Sequence, residues 1–300
     1  MKKTYSLSPE QRQQKTQEAM DTLNHGLESL LNEDQWKQYL KLQGVFHSYS
    51  FSNVIMILAQ FPTATKVAGF KKWTEIGRHV KKGAHGITIW APSFKKEKEQ
   101  KTIERDGIES TEETEHTKLR YFFPVKVFDV SQTEGTPIPD PPRISMTEKV
   151  ETELYAKLRS VCPFPVTEME DLGDGGQTRG IFRHLTQSIE VLTNMSESEK
   201  AKTLVHEWAH GLLHARREDI KAVPNQVREL EAESTAFVVC KALELDTSGY
   251  SFGYIASWTG SESIEWLKAC GPRIQKAVHA ILTALQEEKI NELEESLEVS

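Results

Sequence analysis

A chain of 300 residues that is 38% hydrophobic has room for two cores and suits two domains of ordinary size. No stretch reaches eighteen apolar residues and no apolar run follows the Lys-rich start, so neither a membrane span nor a secretory leader is expected, and a soluble, cytoplasmic protein is. The net charge of −7 argues against a general polyanion binder. It is uneven, however: residues 1–130 hold 20 Lys and Arg against 16 Asp and Glu, and residues 66–101 hold 10 against 3.

The chain opens with helix, expected over 8–31 and 33–44. Ser8 acts as a cap and Pro9 sits in the first turn. Another helix is expected over 52–60, stopped by Phe61-Pro62. Residues 70–77 read as a short helix, 83–86 as a Gly-rich turn and 87–91 as a strand, with a partner strand over 120–130. Between these strands, 93–118 is charged and poor in apolar residues, as a mobile loop at a hairpin tip would be. Basic side chains here are interleaved with Phe70, Trp73 and Trp90. Cations neutralise phosphates and aromatic faces stack on unpaired bases, so Phe70, Lys71, Lys72, Trp73, Arg78, Lys81 and Lys82 are candidate contacts to single-stranded nucleic acid. The competing reading places Trp73 and Trp90 in a core.

Thr136-Pro137-Ile138-Pro139-Asp140-Pro141-Pro142 is an extended, Pro-rich linker within 131–147, which divides a first domain over 1–130 from a second over 148–300. In the second domain, residues 180–192 read as two short strands around a Thr-Gln-Ser turn. A strand edge beside a catalytic helix could hold an extended peptide by strand addition. Ser196 to Glu199 reads as a capping box, and the apolar spacing of Ala201, Leu204, Val205, Ala209, Leu212 and Leu213 predicts a helix with one buried face. Cys162, Cys240 and Cys270 lack metal-ligand spacing and read as reduced, mostly buried thiols. The tail from Glu287 is acidic and helix-favouring.

That helix carries His206-Glu207-Trp208-Ala209-His210. Histidines four apart share a helical face and can reach one ion, while Glu207 is placed to act as general base toward a water held there. Zn2+ is the expected ion, with a third ligand downstream. Glu229 and Glu233 share a face of the next helix. One would bind the metal and the other would orient a ligand from behind, whereas Glu231 points elsewhere. His214 lies 80° around the helix from His206 and is read as a supporting or structural residue rather than a ligand. Tyr250, Tyr254 and Trp258 are read as core aromatics, with the cleft as the alternative.

Thr203 to His210, Glu229-x-x-x-Glu233 and Asp246 to Trp258 resemble the zincin metallopeptidases, specifically the peptidase domain of ArdC-type antirestriction proteins and the related ImmA/IrrE group. The ImmA-like register, a Glu four residues before an aromatic, favours Glu233 before Phe237 as the ligand. Other Glu-zincins would favour Glu229. Phe46 to Asn53, Val67 to Trp73 and Gly77 to Ile87 resemble the N-terminal domain of ArdC-type and LtrC-like proteins of mobile elements, with His85 departing from a common Glu. The resemblance implies an α+β protein of two domains, with single-stranded DNA binding ahead of a zinc peptidase whose peptide substrate is unknown. It also implies a role in protecting incoming plasmid or phage DNA from host restriction. Two rivals stand beside it: an ImmA-like protease that cleaves a repressor, and a DNA-binding module whose zincin half is structural.

Overall fold

The computed structural model describes residues 8–46, 48–105, 108–138, 148–175, 178–216, 223–253, 255 and 261–298. The architecture is α+β, and the chain forms two compact units. One unit takes the chain through Asn24 and then Ala59–Thr136. The other takes His25–Leu58 and everything from Pro137. The second boundary falls inside the expected Pro-rich linker, of which 139–147 lie outside the described residues.

The assignment of 25–58 departs from a division read along the chain, and composition explains why. Helices α1 (Pro9–Ser29), α2 (Glu33–Val45) and α3 (Phe51–Gln60) lie close to their expected bounds. In α3, however, Val54, Ile55, Met56 and Ile57 are all fully buried, so the helix is apolar all round and needs a core on every side. It finds that core among the C-terminal helices. α2 joins the same core: the indole N–H of the buried Trp36 donates to Ser234 Oγ at 3.0 Å.

In the first unit, β1 (Val67–Gly69) pairs antiparallel with Val127–Asp129 of β4, and β3 (Ile87–Arg105) pairs antiparallel with β4 (Ile108–Asp129). The charged segment expected to be a loop over 93–118 is therefore mostly paired strand. The register runs from Ile87↔Val127 to Arg105↔Ile108, and 106–107 lie outside the described residues. Charge did not prevent pairing, because a two-stranded ribbon can leave its side chains in water. Short α4 (Phe70–Glu75) follows β1, and β2 (Arg78–Val80) pairs with β5 (Thr133–Gly135). Asp129 closes this unit. Its carboxylate is 1% exposed and accepts from the amides of Thr65, Lys66 and Ser131 and from Ser131 Oγ, at 2.7–3.1 Å. Burial would raise its pKa, but these hydrogen bonds outweigh burial and hold the carboxyl below its ordinary range.

In the second unit, α5 (Glu148–Val161) leads into a three-stranded sheet of order β6-β8-β7, made of β6 (Val166–Met169), β7 (Gly180–Arg183) and β8 (Ser188–Leu192). β8 runs parallel to β6 and antiparallel to β7, which leaves β7 as an edge. α6 (Glu197–His214) starts at the expected capping box: Ser196 Oγ accepts from the Glu199 amide, and Glu199 reaches back to the Ser196 amide. α7 (Asn225–Ala242) and α8 (Ser261–Glu298) pack against α6. The three thiols are free. Cys240 and Cys270 are buried and Cys162 is half-buried.

Candidate functional site

α6 buries Ala201, Leu204, Val205, Trp208 and Ala209 and leaves His206 and His210 half-buried, with His206 facing a cleft. The cleft encloses about 630 Å³ and is lined by Arg179, Gly180, Lys202, Thr203, His206, Glu207, Glu229, Glu233, Asp246 and Tyr250, among others. The two imidazoles point their Nε2 atoms at one another, 3.1 Å apart. Glu229 Oε2 lies 3.6 Å from His206 Nε2 and 3.5 Å from His210 Nε2. Bonds of about 2.0–2.1 Å place the ligand atoms of a tetrahedral ion roughly 3.3–3.4 Å apart. The three donors therefore already stand near the edges of such a tetrahedron, and the set of two nitrogens and one carboxylate oxygen suits a divalent cation.

The carboxylate grouped with the two imidazoles is that of Glu229, whereas the ImmA-like register favoured Glu233. The two glutamates are one helical turn apart, so only one can stand level with the histidine pair. The crossing of α7 over α6 selects the first, and Glu233 lines the cleft beside it. Glu229 is held well below the usual carboxylate range by hydrogen bonds with His206 and His210. Burial works against protonation of His206, but Glu229 and the charges of Glu207 and Glu233 outweigh it and raise its pKa.

Glu207 is held from behind. Its Oε2 accepts the backbone N–H of Phe182 at 2.8 Å, and this amide lies on the outward edge of β7. Helix and strand come close enough because residue 180 is Gly: a Cβ there would stand 2.4 Å from Thr203 Cγ2. β7 is thus the expected edge strand, but an extended peptide adding to it would compete with Glu207 for the Phe182 amide. Tyr250 lines the cleft rather than sitting wholly in the core, and burial pushes its phenol well above its ordinary pKa. Tyr254 and Trp258 lie outside the described residues.

Behind His206 and His210, His214 is fully buried. Its Nδ1 lies 3.2 Å from His210 Nδ1 and its Nε2 lies 2.7 Å from Glu231 Oε2. Glu231, 1% exposed, also has Arg273 Nε 2.8 Å from its other oxygen. The glutamate behind the histidines is therefore Glu231, which helical spacing alone set aside. Burial lowers the pKa of His214 in spite of Glu231.

Of the candidate DNA contacts, Phe70 is 60% exposed, and Lys71, Lys72, Lys81 and Lys82 are exposed. Trp73 and Arg78 are not accessible. Trp73 is buried, with its indole N–H donating to the Phe128 carbonyl at 2.9 Å. The Arg78 guanidinium is buried against the 130–136 backbone, donating to the carbonyls of Thr133 at 3.0 Å and Thr136 at 2.5 Å. Both are tied down because a planar polar group, once buried, must satisfy its donors.

The β3–β4 hairpin presents what sequence reading passed over. Phe94, Tyr121 and Phe122 are each more than half exposed, Leu119 is nearly so, and Phe123 is partly exposed. Cross-strand partners share a face, so Tyr121 and Phe123 stand with Ser93 and Ala91 on one side, while Phe122 stands with Pro92 on the other. A register shift lies between Ser93 and Phe94. The Arg120 guanidinium lies 5.8 Å from the centre of the Tyr121 ring, and Lys95, Lys96 and Lys118 occupy the same stretch. One signal was present: three consecutive aromatics on a strand cannot all face one core.

Residues 10–130 match the family model of the N-terminal domain of anti-restriction factor ArdC, and residues 161–243 match the IrrE N-terminal-like domain of the M78 peptidases. The chain is thus similar to ArdC-type antirestriction proteins over its first part and to M78 peptidases over its second. The two matches follow one another along the chain without overlap. The first model also runs across residues that pack into the second compact unit. An uncharacterized protein of Bacillus anthracis, pXO2-81, is 27% identical over 331 aligned positions covering 99% of this chain. The alignment covers 56% of that protein, so the chain spans about half the length of the curated relative it matches. Among solved structures, antirestriction ArdC protein from the R388 plasmid is similar in two forms. The metal-free form is 19% identical with a TM-score of 0.48, over 80% of this chain and 86% of that one. The Mn(II)-bound form is 18% identical with a TM-score of 0.48, over 79% and 85%.

Proposed function

We propose that this chain binds single-stranded DNA through its first unit and hydrolyses peptide bonds at a zinc site in its second, protecting the incoming DNA of a mobile element from host restriction. The observation that carries the peptidase half is the convergence of His206 Nε2, His210 Nε2 and Glu229 Oε2 at near-tetrahedral spacing, with Glu207 beside them in an open cleft. His206, His210 and Glu229 would hold the ion. Zinc bound there supplies Lewis acidity to a carbonyl and makes water acidic enough to attack near neutral pH. Glu207 takes the proton of the attacking water and returns it to the departing amine, while the Phe182 amide fixes one carboxylate oxygen so that the other faces the cleft.

The DNA half rests on exposed aromatics set among cations. Phe70 on α4 and Phe94, Tyr121 and Phe122 on the hairpin offer ring faces to unpaired bases, with Lys71, Lys72, Lys81, Lys82, Lys95 and Arg120 for phosphates. The test is filter binding of the full chain to single- and double-stranded DNA, with elemental analysis of the same preparation. Preference for single strands, steep salt dependence and one zinc per chain are expected. Equal affinity for duplex removes the DNA half. Absence of a stoichiometric divalent ion removes the peptidase half.

A further inference from the structure

We propose that His214, Glu231 and Arg273 form a positioning chain that fixes the proton of His210 on Nδ1 and so keeps its Nε2 lone pair turned toward the metal. The inference rests on the metal reading above and deepens it. An imidazole that ligates through Nε2 must carry its proton on Nδ1. In this chain His210 Nδ1 faces another imidazole nitrogen, His214 Nδ1, at 3.2 Å. Two such nitrogens form a hydrogen bond only when one is protonated and the other bare.

The far end of the chain decides which is which. His214 Nε2 lies 2.7 Å from Glu231 Oε2, and a carboxylate only accepts. His214 therefore carries its proton on Nε2 and is bare at Nδ1, and so accepts from His210 Nδ1–H. The opposite order would face a bare His214 nitrogen with a carboxylate at 2.7 Å between two buried side chains. Arg273 stands against the same carboxylate: its Nε lies 2.8 Å from Glu231 Oε1, and its Nη2 donates to the Leu213 carbonyl at 2.8 Å. The proton direction thus runs one way, from His210 through His214 to Glu231.

Burial adds a second argument. His214 is 0% and Glu231 1% exposed, and an apolar pair of similar volume would fill this space at lower desolvation cost. Their placement directly behind a metal-facing histidine accounts for that cost. The rival is an ion pair that only ties α6, α7 and α8 together, and it predicts different behaviour.

The experiment uses the full-length chain stripped of metal. Zn(II) affinity is measured by chelator competition, Co(II) binding by visible absorption, and folding of the metal-free protein by thermal melting. His214→Phe should weaken Zn(II) binding about 10- to 100-fold and alter the Co(II) spectrum. Glu231→Gln, which still offers an acceptor to His214, should lose less. Arg273→Gln should move in the same direction, and because this side chain is 37% exposed it decides the matter if His214→Phe does not fold. Lowered melting with Zn(II) affinity within threefold of wild type and an unchanged Co(II) spectrum overturns the proposal. A wild-type chain that binds neither ion overturns the metal reading, and this inference with it.

Discussion

The cleft around His206 and the ribbon around Tyr121 place their working groups by opposite means. In the cleft, two functional side chains have a partner behind them: Glu207 has the Phe182 amide, and His210 has His214 with Glu231 beyond. On the ribbon, rings stand in water, and their placement depends only on strand pairing and on which face each residue takes. Preorganised groups suit chemistry that requires fixed geometry, whereas exposed rings suit a ligand of variable sequence. Substitutions in the cleft should therefore have large, all-or-none effects, and those on the ribbon graded ones.

The largest effect expected is that of Glu207→Gln. Hydrolysis of a susceptible peptide should fall about 10²- to 10⁴-fold with the metal content unchanged, because the amide cannot accept the proton. Undiminished turnover by the purified variant would remove Glu207 from the base role. For His206→Ala, elemental analysis should find the ion lost and calorimetry a lower melting temperature, since bound metal contributes folding free energy. Glu229→Gln should lose more metal than Glu233→Gln, and the reverse ranking would restore the register that favoured Glu233.

Asp129→Asn tests the frame beneath the ribbon. At neutral pH it should cost about 1–3 kcal/mol, from donors left facing a weaker acceptor. The folded-state pKa of Asp129 is depressed, so its contribution is fully present above the ordinary carboxylate pKa and is lost as pH falls through the depressed value. Urea titrations should therefore show the wild-type advantage closing in acid. A gap that widens in acid would contradict this sign.

On the ribbon, Tyr121→Ala and Phe122→Ala should each weaken single-strand binding by about 1–3 kcal/mol and leave duplex binding and zinc content nearly unchanged. Equal losses for both DNA forms would mean that the rings do not stack on bases. Trp73→Phe should have the smallest effect on DNA, since its ring is inside; the lost hydrogen bond to Phe128 should cost stability by about 1 kcal/mol. DNA affinity falling as far as in Tyr121→Ala would reverse the contrast between the two tryptophan readings.

Spacing along one helix was enough to bring His206, Glu207 and His210 together, and Ser196 with Glu199 was enough to start that helix, because i, i+3 and i+4 geometry is local. The order of the two halves was legible through the resemblance of their motifs. Whether Glu229 or Glu233 stands level with the histidines depends on how α7 crosses α6, which no single-helix pattern encodes. Glu231 pointed away on the spacing of its own helix and became the partner of His214 only when α6 and α8 closed around it. Residues 25–58 precede the first unit's sheet in sequence yet pack with the C-terminal helices, because α3 is apolar on every side and only a large core can cover it. Arg78 looked like a phosphate contact and is buried, whereas Tyr121, which drew no reading of its own, is exposed. Charge and hydrophobicity belong to the residue, but the side of the surface on which it ends is set by the strands and helices that pack around it.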